Sequence, residues 1–267
     1  MTKIAMLGIG RMGREIIKKA VGEGIDVVAA VDSPKNPIIG KDAGIVSGID
    51  ALDVKVSSAA ELENTLGKTK PDVVVDFTNA EACFWNFKLI CKKGINMVVG
   101  TTGFSDKQLD EMRKEAVKCN TGVVISPNMS VGVNVFWDLI REATKILRDY
   151  DVEIIEQHHR FKKDSPSGTA LRTAEIIAGE MEKNLKDIAV YGRKGARERE
   201  KGEIGIHAIR AGDIVGEHTV IYSTLGERIE VTHKAHSRTA FVNGVIKAIE
   251  FIKGKKGVYG MNDVLGI

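Results

Sequence analysis

Residues 3–13 read KIAMLGIGRMG, a short apolar run that leads directly into a glycine-rich turn. The run Lys3–Leu7 predicts a strand, and the segment after the turn, REIIKKAVGE, has the apolar spacing of a helix. A second predicted strand, Ile25–Val31, ends at Asp32, roughly 20 residues beyond the turn. A strand, a GxGxxG turn, a helix and an acidic strand end, in this order, are typical of a dinucleotide-binding unit.

Each part of such a unit has a physical role toward a cofactor. Glycines allow a tight turn and a close approach of the pyrophosphate, and Asp32 is expected to accept hydrogen bonds from the adenine ribose. A carboxylate at position 32 favours NADH because it repels a 2′-phosphate, whereas the positive charges of Arg11 and Lys35 favour NADPH. The residues therefore predict NADH and/or NADPH as cofactor. The turn itself consists of Gly8, Ile9, Gly10, Arg11, Met12 and Gly13.

Further along, strands and helices continue to alternate as far as Pro127. The predicted strands are Asp72–Phe77, Asn96–Val99 and Gly122–Ile125, and the predicted helices are Ala59–Leu66, Ala80–Lys93 and Ser105–Cys119. This alternation predicts an α/β fold with a doubly wound parallel sheet, whose ligands lie beyond the carboxyl ends of the strands. The residues expected at these ends are Thr78, then Gly100, Thr101 and Thr102, then Ser126, Pro127, Asn128 and Met129.

After Pro127 the pattern changes to that of a second domain. A helix, a strand and another helix are followed by three strand-like segments nearly back to back, which predicts an α+β domain with a mixed or antiparallel sheet. One sheet face without covering helices would favour pairing with another subunit. A last helix, Thr239–Ile252, is expected to return to the first domain. The segments are Val133–Arg148, Asp151–Gln157, Ala170–Met181, Ile204–Arg210, His218–Ser223 and Arg228–His233.

The loop between the second domain's first strand and the helix after it concentrates reactive side chains. Residues 156–171 read EQHHRFKKDSPSGTAL. Ser165 and Ser167 both suit a helix N-cap, Pro166 suits the first helical turn, and Gly168 lets a ligand approach the backbone. Free N–H groups at a helix N-terminus bind anions, and the histidines and lysines beside them can donate protons. The loop therefore predicts a site for a small anionic substrate; the alternative is an ordinary solvated basic loop.

Composition narrows the function classes. The chain has 267 residues with 43% hydrophobic and 28% charged residues and a formal net charge of +3. This near balance, without a long basic block, argues against nucleic-acid binding, and no apolar run is long enough to predict a membrane span.

The cysteines and histidines indicate the redox compartment and whether a metal site is expected. Cys83, Cys91 and Cys119 are odd in number and lack CxxC spacing, which predicts a reducing compartment, and with no visible signal peptide a cytoplasmic location. Four histidines outside the loop lack metal-ligand spacing, so no metal site is predicted. They are His207, His218, His233 and His236.

The loop sequence resembles a known family signature. EQHHRFKKDSPSGTAL resembles the E-x-H-H-x-x-K-x-D-x-P-S-G-T-A motif of the 4-hydroxy-tetrahydrodipicolinate reductase family, long called dihydrodipicolinate reductase, of lysine and diaminopimelate biosynthesis. Supporting motifs span nearly the whole chain in the right order. They are GRMG at 10–13, DFT at 76–78, GTTG at 100–103, SPNMSVGVN at 126–134, RAGDIVGEH at 210–218 and HSRTAF at 236–241.

The resemblance implies a Rossmann-type dinucleotide-binding domain made of residues 1–127 plus 239–267. It also implies a substrate-binding and oligomerisation domain made of residues 128–238, joined into a homotetramer through its sheet. The implied reaction is the NAD(P)H-dependent reduction of 4-hydroxy-tetrahydrodipicolinate, through dihydrodipicolinate, to tetrahydrodipicolinate. The substrate is a small dicarboxylate, whose two anions suit the helix terminus and the basic loop.

Carried over by position, His158 is the family's proton donor/acceptor and Lys162 its proton donor. His159, Gly168 and Thr169 match its substrate contacts. Cofactor contacts fall on the glycine turn at 8–13, on Asp32, and on the strand ends at 100–102 and 126–129.

Two departures from the family pattern concern the cofactor. The turn GIGRMG is one residue shorter than the common GxxGRMG form. Ser33 follows Asp32, where some members carry an arginine for the 2′-phosphate, and this favours NADH.

Two other hypotheses for the function are another Rossmann-type amino-acid dehydrogenase, such as aspartate dehydrogenase, and a non-catalytic NAD(P)-sensing module. The run HHRFKKDSPSGT argues against aspartate dehydrogenase.

Overall fold

A computed structural model describes all of the chain, Met1–Ile267, which divides into two compact units. One consists of Met1–Val131 with Phe241–Gly266, and the other of Gly132–Ala240 with Ile267. Each unit has its own β-sheet and its own buried apolar core.

The chain forms twelve strands. In order they are β1 (Lys3–Leu7), β2 (Asp26–Asp32), β3 (Val56–Ser58), β4 (Val73–Asp76), β5 (Asn96–Val99), β6 (Gly122–Ile125), β7 (Asp151–His158), β8 (Ala189–Tyr191), β9 (Ile204–Arg210), β10 (Gly216–Thr224), β11 (Glu227–Ala235) and β12 (Gly257–Tyr259).

Ten α-helices connect or follow these strands. In order they are α1 (Arg11–Gly22), α2 (Ala43–Ser47), α3 (Leu62–Thr69), α4 (Ala80–Lys92), α5 (Asp106–Lys118), α6 (Val131–Ile146), α7 (Gly168–Glu180), α8 (Leu185–Ile188), α9 (Thr239–Ile252) and α10 (Met261–Leu265).

The first unit is built on a seven-stranded sheet in the order β3-β2-β1-β4-β5-β6-β12. Every neighbouring pair is parallel. Because strand side chains alternate between faces, Ile4 and Met6 of β1 pack into one core and Ala5 and Leu7 into another on the opposite face. Burial on both faces explains the nearly continuous apolar runs of these strands. The predicted Rossmann-type sheet is confirmed, with its order reversing between β1 and β4.

β12 was not predicted from the sequence. It pairs with β6, Val258 lying opposite Val123. A strand of three residues is too short to show a two-residue period, and the register with β6 is what defines it.

The second unit has a five-stranded sheet in the order β11-β10-β7-β9-β8. The central strand β7 runs antiparallel to β10 and parallel to β9, so the predicted mixed sheet is confirmed. One face packs against α6 and α7: Ile154 and Tyr222 of the sheet share a buried core with Phe136 and Ile177 of these helices. The three-residue strand β8 was again too short to predict.

Helix starts follow capping chemistry. Ser105 is the N-cap of α5 and forms a capping box with Gln108. Of the two candidate serines before α7, Ser167 is the N-cap, because its Oγ accepts the Ala170 N–H at 3.2 Å. The prediction that Pro166 lies in the first helical turn is wrong, since the capping residue Ser167 is extended and α7 begins only at Gly168.

The segment predicted as a helix over 59–66 starts differently. Ala59–Glu61 forms a 3-10 turn, and α3 then runs on to Thr69. Among the helices, none combines the length and the apolar character needed to cross a membrane.

Candidate functional site

The glycines of the first turn meet different requirements. Gly8 has a φ of +87°, and a Cβ there would lie 2.5 Å from the Phe77 carbonyl oxygen. A Cβ on Gly13 would lie 2.0 Å from the Gly8 carbonyl oxygen. A Cβ on Gly10, in contrast, would meet no atom within 4 Å. The protein's own packing thus requires Gly8 and Gly13, whereas Gly10 leaves open space beside the N-terminus of α1, where an anionic ligand is favoured.

The Asp32 carboxylate is fixed against this turn. Its Oδ2 accepts the Ile9 N–H and its Oδ1 accepts the Ser33 N–H, both at 2.6 Å. A carboxylate oxygen has a second lone-pair site, so these bonds leave capacity for ribose hydroxyls. The exposed residues beside it are Arg11, Ser33 and Lys35.

A buried carboxyl organises the ends of β4 and β5. Oδ1 of Asp76 accepts the Thr78 hydroxyl at 2.7 Å and the Thr101 hydroxyl at 2.8 Å. Burial raises the pKa of the Asp76 carboxyl, against the opposing effect of these hydrogen bonds. Beside them, Gly100 packs so closely on the Phe77 ring that a Cβ would lie 2.1 Å from it. Thr102, the last predicted contact of this strand end, is exposed.

The end of β6 is fixed by its own hydrogen bonds. The Ser126 hydroxyl donates to the Asn128 carbonyl at 2.8 Å, and Asn128 Oδ1 accepts the Ser130 N–H at 2.9 Å. Pro127 is exposed and Met129 is buried. Because all the strands are parallel, the predicted cofactor residues lie at one edge of the sheet, and the open space at Gly10 and the fixed carboxylate of Asp32 fit a dinucleotide there.

The second unit contains a buried carboxylate with three partners. Glu156, near the end of β7, is fully buried. Its Oε2 lies 2.6 Å from His158 Nδ1, and its Oε1 accepts the Ser167 N–H at 2.9 Å. Arg210 donates to both oxygens, at 2.8 and 2.7 Å. Burial alone would raise the pKa of Glu156, but the hydrogen bonds from His158, Arg210 and Ser167 outweigh it and hold that pKa at about 2.

The loop after β7 carries the second predicted acid. Lys162 Nζ lies 2.8 Å from Asp164 Oδ2, and the Lys162 N–H donates to the His159 carbonyl at 3.1 Å. The predicted substrate residues follow directly: His159 and Thr169 are half-buried, and Gly168 is exposed at the first position of α7. A Cβ on Gly168 would meet no atom within 4 Å, so the start of this helix is open to a ligand.

His218 belongs to the same cluster, although the sequence analysis predicted only that it lies in a strand. It is buried, its Nε2 lies 3.1 Å from the Ser167 hydroxyl, and its ring centroid lies 5.2 Å from that of His158. Burial, reinforced by the charge of His158, lowers the pKa of His218 to about 3. The ring is therefore neutral at neutral pH, and it orients the capping serine.

Sequence reasoning assigned no role to Glu156, Arg210 or His218. Strand register offered a signal, because Val152, Ile154 and Glu156 share the core-facing side of β7 and a charge at such a position requires partners. The partner positions come from register as well: His218 lies opposite Glu156, and His158 lies opposite Arg210. No group of three or more His, Cys, Asp or Glu residues has an arrangement that could hold a metal ion.

We expect the depressed pKa of His218 to make stability depend on pH. The unfolded chain takes up a proton near the ordinary value of 6.5 and the folded chain only near 3. The contribution is therefore complete above about pH 6.5 and falls by up to about 1.4 kcal/mol per pH unit as the pH drops from there toward 3. Urea unfolding of wild type and His218→Gln between pH 7.5 and 5 would measure it. A smaller pH slope is expected for the variant, and equal slopes would contradict the assignment.

Comparison with known proteins covers both halves of the chain. Residues 2–129 match the family described as dihydrodipicolinate reductase, N-terminus, and residues 132–265 match dihydrodipicolinate reductase, C-terminus. The 4-hydroxy-tetrahydrodipicolinate reductase of Methanocaldococcus jannaschii is 52% identical over 271 residues, covering 100% of this chain and 98% of that protein. The protein of the same name from Methanobrevibacter smithii is 49% identical, with 100% of both chains covered.

A solved structure is similar over the same length. The dipicolinate-bound dihydrodipicolinate reductase from Paenisporosarcina sp. TG-14 has 27% sequence identity and a TM-score of 0.78. The alignment covers 98% of this chain and 99% of that one.

Proposed function

Because the chain belongs to the dihydrodipicolinate reductase family, we propose that His158 and Lys162 supply the protons of its reaction while the start of α7 holds the substrate. The activity is 4-hydroxy-tetrahydrodipicolinate reductase, an oxidoreductase activity of lysine and diaminopimelate biosynthesis that uses a nicotinamide cofactor. The full-length match favours this activity over aspartate dehydrogenase and over a non-catalytic sensing module.

The single observation that carries the residue assignment is the contact of His158 Nδ1 with the buried carboxylate of Glu156 at 2.6 Å. A carboxylate on one ring nitrogen orients the imidazole and leaves the other nitrogen, Nε2, to exchange a proton. A bound dihydronicotinamide supplies the hydride. Hydride addition to a conjugated imine leaves negative charge on the substrate, which a nearby imidazolium or ammonium removes by protonation.

Substrate binding is proposed at the N-terminus of α7. Backbone N–H groups at a helix start favour a carboxylate, and the dipicolinate of the related structure is a planar dicarboxylate. The open backbone at Gly168 admits one carboxylate, with Thr169 beside it. His159 directly follows His158 of the oriented Glu156–His158 pair, and we assign it to the second carboxylate or the ring.

We propose NADH as the preferred cofactor. The Asp32 carboxylate is held in place by two backbone N–H groups, so it cannot turn away from a 2′-phosphate, and Ser33 supplies no positive charge. Fluorescence titration should give a lower dissociation constant for NADH than for NADPH, and Asp32→Asn should narrow the difference by improving NADPH binding. Tighter NADPH binding by the wild type would contradict this preference and would assign the 2′-phosphate to Arg11 and Lys35.

The second unit is also proposed to mediate a homotetramer. The sheet face opposite α6 and α7 carries Ile155, Ile209 and Ile221, apolar side chains that no helix of that unit covers. A second copy would bury them. Light scattering should give a mass four times that of the chain.

We also propose a cytoplasmic location, which fits the three free thiols, two of which are buried.

A further inference from the structure

The contacts of Glu156 concern the orientation of His158, one of the two proposed acids. Three groups of the second unit contact the carboxylate: the Ser167 N–H before α7, the Arg210 guanidinium on β9, and Nδ1 of His158 on its own strand. All of its ordinary acceptor positions are thereby occupied inside the protein. It is fully buried and makes these contacts at the edge of the apolar core, so its position is fixed by packing.

We infer that Glu156 is a positioning residue that holds His158 with Nδ1 protonated, so that Nε2 is the nitrogen that exchanges protons with the substrate. This inference rests on the proposed role of His158. A carboxylate acceptor at 2.6 Å requires a proton on Nδ1, since two acceptors would repel each other. Nε2 therefore carries the exchangeable proton in the imidazolium and a lone pair in the neutral ring.

Gly216 leaves room for His158 Nε2, the nitrogen proposed to exchange protons. A Cβ on Gly216 would lie 3.1 Å from His158 Nε2, closer than an ordinary van der Waals contact. Glycine at this position on β10 therefore lets the imidazole approach the strand closely. The ring is confined on its other sides by Glu156 and by His218, whose ring meets it edge-on.

Arg210 connects Glu156 to the loop that carries Lys162. Besides its two bonds to Glu156, its Nη2 donates to the Asp164 carbonyl at 2.7 Å. The side chain of Asp164 in turn pairs with Lys162 Nζ. The bidentate pair keeps Glu156 ionised and ties the backbone of the loop to the same carboxylate that orients His158.

A second Glu–His–Arg group, whose glutamate also lies on β7, provides a matched control. Glu153 Oε2 lies 2.6 Å from His207 Nε2, and Glu153 Oε1 accepts Arg193 Nη2 at 2.5 Å. Glu153 lies three positions before Glu156, an odd offset, so it projects from the other face of β7. The chemistry of the two groups is alike, but His207 has no proposed part in catalysis.

The decisive experiment combines Glu156→Gln with the control Glu153→Gln. An amide has one acceptor oxygen and places an N–H₂ toward His158, which favours the opposite tautomer. For Glu156→Gln we expect kcat to fall on the order of tenfold, part of the ~10²-fold or more that a general acid contributes, with KM changed by less than about threefold. For Glu153→Gln, at the same oligomeric mass, we expect kcat to change by less than about threefold. An equal loss in both variants, or none in Glu156→Gln, would overturn the inference.

A tautomer measurement on the wild type keeps the inference testable even if Glu156→Gln fails to fold. Two-bond ¹H–¹⁵N spectra report which ring nitrogen carries the proton, and His158→Gln identifies the resonance by its loss among the six histidines. We expect an Nδ1–H in the neutral ring of His158; an Nε2–H tautomer would overturn the positioning role. Full turnover in His158→Gln would instead overturn the proposed acid and leave the tautomer result standing, so the two failures are distinguishable.

Discussion

Replacing Lys162 by alanine is expected to lower kcat by about 10²-fold or more while leaving the fold and NADH binding intact. The loss is that of a general acid for the charge left by hydride addition. The fold should be little affected, because the ion pair of Lys162 with the exposed Asp164 is of a kind that contributes about 0–1 kcal/mol. Steady-state kinetics, with urea unfolding and NADH titration of the same preparation, would measure all three quantities.

Two further variants separate proton donation from charge. Lys162→Arg keeps the positive charge but offers a guanidinium that does not give up its proton, so we expect it to bind substrate and to remain slow. Lys145→Ala removes a similar ion pair, with Glu142 on α6, and should leave kcat unchanged within about threefold. Turnover close to that of the wild type in folded Lys162→Ala would remove Lys162 from the mechanism.

Gly13→Ala should destabilise the first unit and abolish cofactor binding. Its Cβ would lie 2.0 Å from the Gly8 carbonyl oxygen, so the start of α1 must move away from the end of β1. Overpacking of this kind costs about 1–3 kcal/mol, and the movement displaces the N–H groups that we propose bind the pyrophosphate. Urea unfolding and NADH titration would measure both effects.

Two glycines of the same helix region serve as controls. A Cβ on Gly22, the last residue of α1, meets open space, so Gly22→Ala should be neutral or stabilising by up to about 1 kcal/mol, with NADH binding unchanged. Gly10→Ala should lose about 1 kcal/mol at most, but its methyl group occupies the space proposed for the cofactor, so NADH affinity should fall at least about tenfold. If Gly13→Ala behaved like Gly22→Ala, the structural reason given for Gly13 would be wrong.

The sequence predicted most of the first unit because local signals and global packing agree there. Buried parallel strands read as apolar runs, and the GxGxxG turn, Asp32 and the Ser105 capping box are encoded within a few residues each. The strands β3, β8 and β12 escaped prediction because each has three residues, too few to show a period. The sequence left the N-cap of α7 open between Ser165 and Ser167, since two serines flank Pro166 and only the hydrogen bond to Ala170 distinguishes the cap.

Only part of the candidate site could be predicted from the sequence. His158, Lys162 and the helix start lie in one contiguous motif, and the family resemblance assigned them roles. Glu156 belongs to that motif, yet its partner Arg210 lies 54 residues beyond it in sequence, and His218 lies further still. Only the pairing of β7 with β9 and β10 brings Arg210 to the carboxylate and His218 to the rings and hydroxyl beside it. Local sequence patterns do not predict the register between strands that lie far apart in the chain.

The assigned reaction is tested by following the absorbance of NADH and, separately, of NADPH as the purified wild-type protein oxidises them. The unstable substrate would be generated in place by a dihydrodipicolinate synthase from pyruvate and aspartate semialdehyde. We predict loss of absorbance that requires both the protein and the synthase reaction, with the faster rate for NADH. No substrate-dependent loss with either cofactor, from protein shown to bind NADH, would contradict the assigned reaction.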